Sequence, residues 1–261
     1  MIKVFIAVVS HGHENLIKDL GCIQELLDDF TIVVKSNKVN ENFNYFHNFN
    51  NFHWINESYG LGFGANNNVV FNYCLEHLGM TLNDFFLVLN PDVLVDSETI
   101  KKLLQAMTSE CYQLSAINLY RSYEPIVYDY SVRMFPTLYT FGSSFLGAGN
   151  KTIINKDNIS VPTVVDWAAG SFLMFRAAHY KNLRGFDENY FMYCEDIDIC
   201  ARSKKLGEAV IYYPDLKALH LAKHANRSIF SKHFYWHLQS ALRFVLSMKG
   251  MTKIHSSINF K

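Results

Sequence analysis

The run Phe85–Leu89 (FFLVL) constrains this chain most. Five consecutive apolar residues are too uniformly apolar for a strand with one wet face, so they predict a strand buried on both sides of a parallel sheet. Parallel strands need crossovers, and helices supply them. Lys3–Val9 is a β-branched and aromatic run ending at Ser10-His11-Gly12, and Leu16–Leu27 then carries apolar residues at helical spacing. Phe30–Lys35 reads as a second strand closed by Ser36-Asn37, the stretch 40–53 as irregular, and His53–Asn56 as a third short strand. A glycine-rich turn leads into a helix over Asn67–Leu78, Ser97 is placed to cap a helix over Glu98–Met107, and Leu114–Tyr120 continues the sheet. This alternation predicts an open α/β fold with a mixed, mostly parallel sheet flanked by helices. The rhythm then loosens. Residues 123–159 are loop-rich, Val164–Arg176 is strand-like around Gly170-Ser171, Asp196–Leu206 is a helix ended by Gly207, Ala209–Tyr213 is a last strand before Pro214, and Phe230–Met248 is an aromatic amphipathic helix.

Composition narrows the function. With 24 basic and 24 acidic residues and 49% hydrophobic content, the chain lacks the charge excess of a dedicated nucleic-acid binder and is too apolar for disorder. No apolar run reaches the roughly 18 residues that span a bilayer, Met1–Val9 has no cleavable signal pattern, and the five cysteines contain no CxxC pair. These features predict a cytoplasmic protein with reduced thiols. The charge is segregated, however: residues 1–215 hold 16 basic and all 24 acidic residues, a net −8, and residues 216–261 hold eight basic residues, a net +8. The expected organisation is a domain over 1–215 and a basic segment over 216–261, with an acidic partner surface for the latter. In its helix, Phe234, Leu238, Ala241, Leu242 and Val245 share one face and Lys232, Gln239 and Arg243 another. That pattern suits a peripheral anchor on an anionic membrane, or packing against the domain.

Ligands of open α/β sheets collect at the carboxyl ends of the strands. Those ends carry Ser10-His11, Ser36-Asn37, Asn56 and Asn90-Pro91-Asp92, a rim of short polar groups around one carboxylate. The loop with Gly60, Gly62 and Gly64 followed by Asn66, Asn67 and Asn68 would let backbone N–H groups approach a phosphate or sugar, or makes an ordinary turn with an N-cap. Its glycine spacing and its place after the third strand exclude a dinucleotide fingerprint. Asp92 suits a hard divalent cation bridging phosphates, or a solvated turn. His220, after the last strand, would complete a mixed oxygen and imidazole site for Mg²⁺ or Mn²⁺. Glu195-Asp196-Ile-Asp198 opens a helix, where one acid serves as a cap. Three acids in four residues, after the aromatic stretch Tyr190–Tyr193, exceed that need and point to a carboxylate in a partly apolar pocket, fit for general-base work. His220, His224 and Arg227-Ser228 lie in an acid-free segment suited to anion or metal contact, or to plain solvation.

The ordered set of Ser10-His11, the Gly60–Asn68 loop, Leu89-Asn-Pro-Asp92, Asp166-Trp-Ala-Ala-Gly170-Ser171-Phe172, Gly185-Phe-Asp187-Glu188, Tyr190–Asp198 and His220 resembles the family 2 glycosyltransferases of the GT-A (Rossmann-like) fold. Within that family the chain looks most like bacterial rhamnosyltransferases of O-antigen assembly, and Asp129-Tyr-Ser-Val-Arg133-Met-Phe-Pro136 is similar to theirs too. The resemblance implies an inverting transfer of L-rhamnose from dTDP-L-rhamnose to N-acetylglucosamine linked through diphosphate to a polyprenyl lipid, on the cytoplasmic face of the inner membrane. It makes Asp92 the metal and donor-diphosphate residue, with Asn90 where the family's motif has its first acid. It makes Asp196, with Glu195 beside it, the catalytic base and His220 the metal or diphosphate contact. Asn37 matches the nucleotide-binding region, with Ser36 where an aspartate often stands. Trp167, Gly170 and Ser171 are expected to line the donor and acceptor pocket, and Arg133 and Arg227 to grip phosphates. Three other readings stay open: a family 2 transferase using a UDP-hexose, a sugar-phosphate nucleotidyltransferase, and a noncatalytic carbohydrate-binding protein. The second lacks a glycine-rich N-terminal loop with a following basic residue.

Overall fold

The computed structural model describes residues 2–145, 152–222 and 232–258. The first half comprises β1 (Val4–Ser10), α1 (Glu14–Leu20), α2 (Cys22–Leu26), β2 (Thr31–Ser36), β3 (Phe52–Ile55), α3 (Phe63–His77), β4 (Phe85–Leu89), β5 (Val93–Leu94), α4 (Ser97–Ser109) and β6 (Leu114–Tyr123). There follow β7 (Ile126–Tyr128), β8 (Val132–Arg133), α5 (Leu138–Phe145), β9 (Thr163–Val165), β10 (Trp167–Ala168), β11 (Phe172–Arg176), α6 (Ala177–Asn182), α7 (Glu195–Lys205), β12 (Val210–His220) and α8 (Lys232–Met248).

The main sheet runs β3-β2-β1-β4-β11-β6-β12-β5, with β7 beside β6 and β9 beside β12. Strands β1 to β4 are parallel neighbours, and β11 inserts antiparallel between β4 and β6. The chain builds from β1 outward to β3, then returns to place β4 on the other side of β1. The crevice outside β1 and β4 is thus the switch point where such sheets bind ligands. β4 is buried on both faces as its composition predicts. Phe85, Leu87 and Leu89 join Val4, Ile6 and Val8 in one core, while Phe86 and Val88 join Phe5 and Ala7 in the other, as the two-residue period of a strand requires.

Several local expectations are corrected. The Leu16–Leu27 helix is broken at Gly21, whose φ of +66° ends α1 in the left-handed region. Helix α3 begins at Phe63, four residues before its expected start, so Phe63–Asn66 is helical instead of turn, and Asn66, Asn67 and Asn68 are buried. Asp96, not Ser97, caps α4 by accepting from the Thr99 N–H at 2.6 Å, and the Ser97 hydroxyl turns to Asp29. The last strand passes Pro214 through a register shift between Tyr213 and Lys217 and continues to His220. Residue 215, the expected boundary, therefore falls inside β12.

The described part of the basic segment is fastened to the domain. Ala241 and Phe244 are buried, Ser240 donates to the Met192 carbonyl at 2.9 Å, and Ser247 donates to Asp198 at 2.9 Å. The Arg243 guanidinium donates to the buried Asp187 carboxylate through Nε at 3.0 Å and Nη2 at 2.5 Å. Ala241, a member of the expected apolar face, is thus a packing residue. Removing Arg243 leaves a buried carboxylate without its cation. Arg243→Ala is therefore expected to destabilise the fold by about 3 kcal/mol, read as a lower urea midpoint at unchanged slope. An unchanged midpoint would contradict this role.

Candidate functional site

The carboxyl ends of β1, β2 and β4 stand in a row and carry Ser10, Asn37 just beyond Ser36, and the Asn90-Pro91-Asp92 turn. Most of the small polar groups there build the rim. Ser10 donates to the buried Glu41, which also accepts the Gly12 N–H at 2.9 Å and the His13 N–H at 3.2 Å. His11 is exposed, and its N–H is received by His13 Nδ1 at 3.1 Å. The Asn37 amide clamps the Leu61 backbone, donating to its carbonyl and accepting from its N–H, both at 2.9 Å. Asn37 thereby ties the end of β2 to the start of α3.

Gly62 and Asn67 have structural partners as well. A Cβ on Gly62 would lie 2.7 Å from the Phe191 carbonyl oxygen, so the absence of a side chain lets α3 abut the loop before α7. Asn67 donates to the Phe63 carbonyl at 3.0 Å inside the helix.

Asp92 is brought to His220 by backbone pairing. β5, just after Asp92, runs antiparallel to the end of β12, and the Leu221 N–H reaches the Asp92 carbonyl at 3.0 Å. His220 Nε2 faces Asp92 Oδ1 at 3.4 Å, while Nδ1 meets Asp129 Oδ2 at 2.5 Å. Burial opposes the imidazolium, but the two carboxylates outweigh it and raise the His220 pKa to about 9. Burial likewise opposes the charge of Asp92, and His220 in turn holds that carboxyl below the usual aspartate range.

The second acidic group sits at the N-terminus of α7. Tyr193 and Cys194 enter it with φ of +71° and +63°, two successive left-handed residues of the kind that cost energy and gather at functional sites. Of the three acids, Asp198 is engaged by Arg202 at 2.7 Å, Ser247 and Tyr190, a structural network. Asp196 accepts from the Ile197 N–H at 2.8 Å and the Gly170 N–H at 3.3 Å. Burial raises the Asp196 pKa against the pull of those amides and of Arg133. Burial, reinforced by the Asp196 charge, raises Glu195 well above the usual range, and its Oε2 has no hydrogen-bond partner among the described residues. Burial thus disfavours the charge of both acids, with backbone N–H groups and Arg133 favouring it at Asp196.

The two acidic groups are joined through one short bridge. The Gly170 N–H holds Asp196, and the adjoining Ser171 carbonyl accepts the Asn90 N–H at 3.0 Å, two residues before Asp92. Any Cβ on Gly170 would meet Phe63 at 2.9 Å and Asp196 at 3.8 Å, so glycine is needed for this approach. The Ser171 hydroxyl is buried without a partner among the described residues. The Arg133 charge reaches both groups, favouring the ionised forms of Asp129 and, against burial, of Asp196. Its guanidinium is 5.6 Å from the Trp167 ring centre and donates to the Tyr130 carbonyl at 2.7 Å, while Trp167 itself is buried and donates to the Met134 carbonyl. Arg227 lies outside the described residues. Sequence reasoning missed Glu41 and Lys156, which fall in stretches without periodicity, and named Asp129 only within its motif.

No family model matches the chain. The chain is 39% identical to the rhamnosyltransferase WbbL of Escherichia coli over 265 residues, covering 97% of this chain and 98% of that one. The chain belongs to the family 2 rhamnosyltransferases. It is a glycosyltransferase. The N-acetylglucosaminyl-diphospho-decaprenol L-rhamnosyltransferase of Mycobacterium tuberculosis is 31% identical to this rhamnosyltransferase-family chain over 63% of this chain and 55% of its own length. The fold is shared with S. aureus TarS: the crystal structure of its residues 1–349 with UDP gives a TM-score of 0.57 at 14% identity, over 94% of this chain and 66% of that one.

Proposed function

We propose that this protein transfers L-rhamnose from dTDP-β-L-rhamnose to an N-acetylglucosamine-diphosphate-polyprenyl acceptor, by single displacement with inversion. The observation that supports the reading is the Asp196–Gly170-Ser171–Asn90 bridge, which ties the Asp196 carboxylate to the strand end that carries Asp92. The relatives' rhamnosyl specificity supports the sugar, and the mycobacterial relative's name supports the acceptor class. Asp196 takes the proton of the acceptor hydroxyl as that oxygen attacks the anomeric carbon. Arg133, and His220 as long as no cation has displaced its proton, place positive charge where the departing diphosphate gathers negative charge. Acceptor-dependent release of dTDP from dTDP-rhamnose tests this; release that ignores the acceptor would contradict it.

The donor set at Asp92 fits one Mg²⁺ or Mn²⁺. It offers one carboxylate oxygen and one imidazole nitrogen 3.4 Å apart, with the other ring nitrogen held by a carboxylate, as metal-bound histidines usually are. Among the described residues no group of three His, Cys, Asp or Glu side chains is arranged to hold a metal, so the remaining positions fall to the diphosphate and water. A bound cation would offset the charge of the leaving group. The imidazolium proton must leave Nε2 before that nitrogen ligates, so cation binding releases a proton.

The lipid-linked acceptor implies a membrane surface as partner. No helix among the described residues is long and apolar enough to cross a membrane. The outward side of α8 nonetheless keeps Tyr235, Leu238 and Leu242 at 59%, 47% and 60% exposure, on a segment with eight basic residues and no acid. Arg243 is engaged by Asp187, but each remaining cation that reaches an anionic surface adds about 1 kcal/mol, screened by salt. We infer peripheral attachment to the cytoplasmic face through this side. Sedimentation with anionic but not neutral vesicles is expected at low salt, and is expected to weaken in Leu238→Asp/Leu242→Asp; no binding to either vesicle would leave α8 a packing helix only.

A further inference from the structure

Asp129 is placed to act through His220. Its Oδ2 lies 2.5 Å from His220 Nδ1, while Nε2 of the same ring faces Asp92 at 3.4 Å. Its backbone is fixed, because the Asp129 N–H donates to the Leu119 carbonyl at 3.0 Å. Lys156 is buried nearby, with Nζ donating to the same Leu119 carbonyl at 3.1 Å, to Ser131 Oγ at 3.0 Å and to Asn118 Oδ1 at 3.2 Å. A buried ammonium is costly unless its donors and charge are answered. Here all three donors are met, and the charges of Lys156 and Arg133 both favour the Asp129 carboxylate.

We propose that Asp129, steadied by Lys156, is the positioning residue that fixes the ring of His220 so that Nε2 points to the Asp92 side. This rests on the transferase reading above for its consequence, not for its geometry. An imidazole free to turn presents either nitrogen to its neighbour; a carboxylate on Nδ1 selects one tautomer and one orientation. Asp129 itself needs no contact with the donor. The cation or diphosphate at Asp92 would feel its removal only through the loosened ring.

A double-mutant cycle separates action through His220 from any other role. The variants are Asp129→Asn, His220→Gln and both together, with thermal unfolding to confirm folding and Asp129→Ser as the substitute should Asp129→Asn fold poorly. Two readouts are used: Mn²⁺ binding to the protein alone by electron paramagnetic resonance, and kcat for acceptor-dependent nucleotide release. Asp129→Asn is expected to cost about 10–100-fold in Mn²⁺ affinity and in kcat with His220 present, and little further once His220 is replaced. Equal losses in both backgrounds, or no loss with His220 present, would overturn the assignment. The Mn²⁺ cycle uses no sugar donor, so a wild type that fails to transfer rhamnose would contradict the proposed function and leave this inference to its own result.

Discussion

Replacing Asp196 by asparagine is expected to lower kcat by about 10²–10⁴-fold with little change in donor affinity, the usual weight of a general base. The substitution keeps the shape that meets the Gly170 and Ile197 N–H groups but cannot take a proton. Asp198 is an inferior candidate because Arg202, Ser247 and Tyr190 already engage it. Glu195 is inferior because burial and the Asp196 charge disfavour its ionised form. The same environment sets the pH dependence. Asp196 works ionised, and burial raises its pKa, so the acid limb of kcat/KM should lie above the ordinary aspartate range and activity should fall as pH drops through it. Near-normal turnover in Asp196→Asn, with loss in a Glu195 or Asp198 variant, would place the base elsewhere.

Removing divalent cations should have an effect of similar size. Excess EDTA is expected to abolish transfer and added Mg²⁺ or Mn²⁺ to restore it. Asp92→Asn should lose about 10²–10³-fold in kcat/KM, matching the several kcal/mol that a cation gives to a developing anion. The chain offers only one carboxylate at that strand end, since Asn90 stands where a second acid would help. Full activity in EDTA would show that Arg133 and His220 balance the diphosphate unaided.

How much of this was legible depends on the range of the interaction involved. β4 could be read directly because a run of five apolar residues has few other uses, and its place fixed the Asn90–Asp92 turn at a strand end. The start of α3 was misread because Gly60–Asn68 looks like a turn locally; only the approach of the Phe191 backbone to Gly62 explains glycine there. The pairing of Asp92 with His220 joins residues 128 positions apart through β5 and β12; it is legible from the place of each after a strand, and the family's motif order agrees. Asp129 and Lys156 were harder still. They come from a stretch without periodicity, and what defines them is a shared contact with the Leu119 backbone. The amphipathic helix was visible, but which of its sides faces the domain was decided by the Arg243–Asp187 pair and by Phe244.

The central claim is that this site moves a deoxyhexose to a lipid-linked saccharide. Incubating the full chain and Mn²⁺ with a synthetic N-acetylglucosamine-diphosphate-lipid and, separately, dTDP-rhamnose or UDP-hexoses tests it most directly, with products read by mass spectrometry. The account predicts one product, the acceptor extended by a single deoxyhexose from dTDP-rhamnose alone, and none with Asp196→Asn. Extension by a hexose from a UDP donor, or an acceptor left unextended while the donor is consumed, would contradict it.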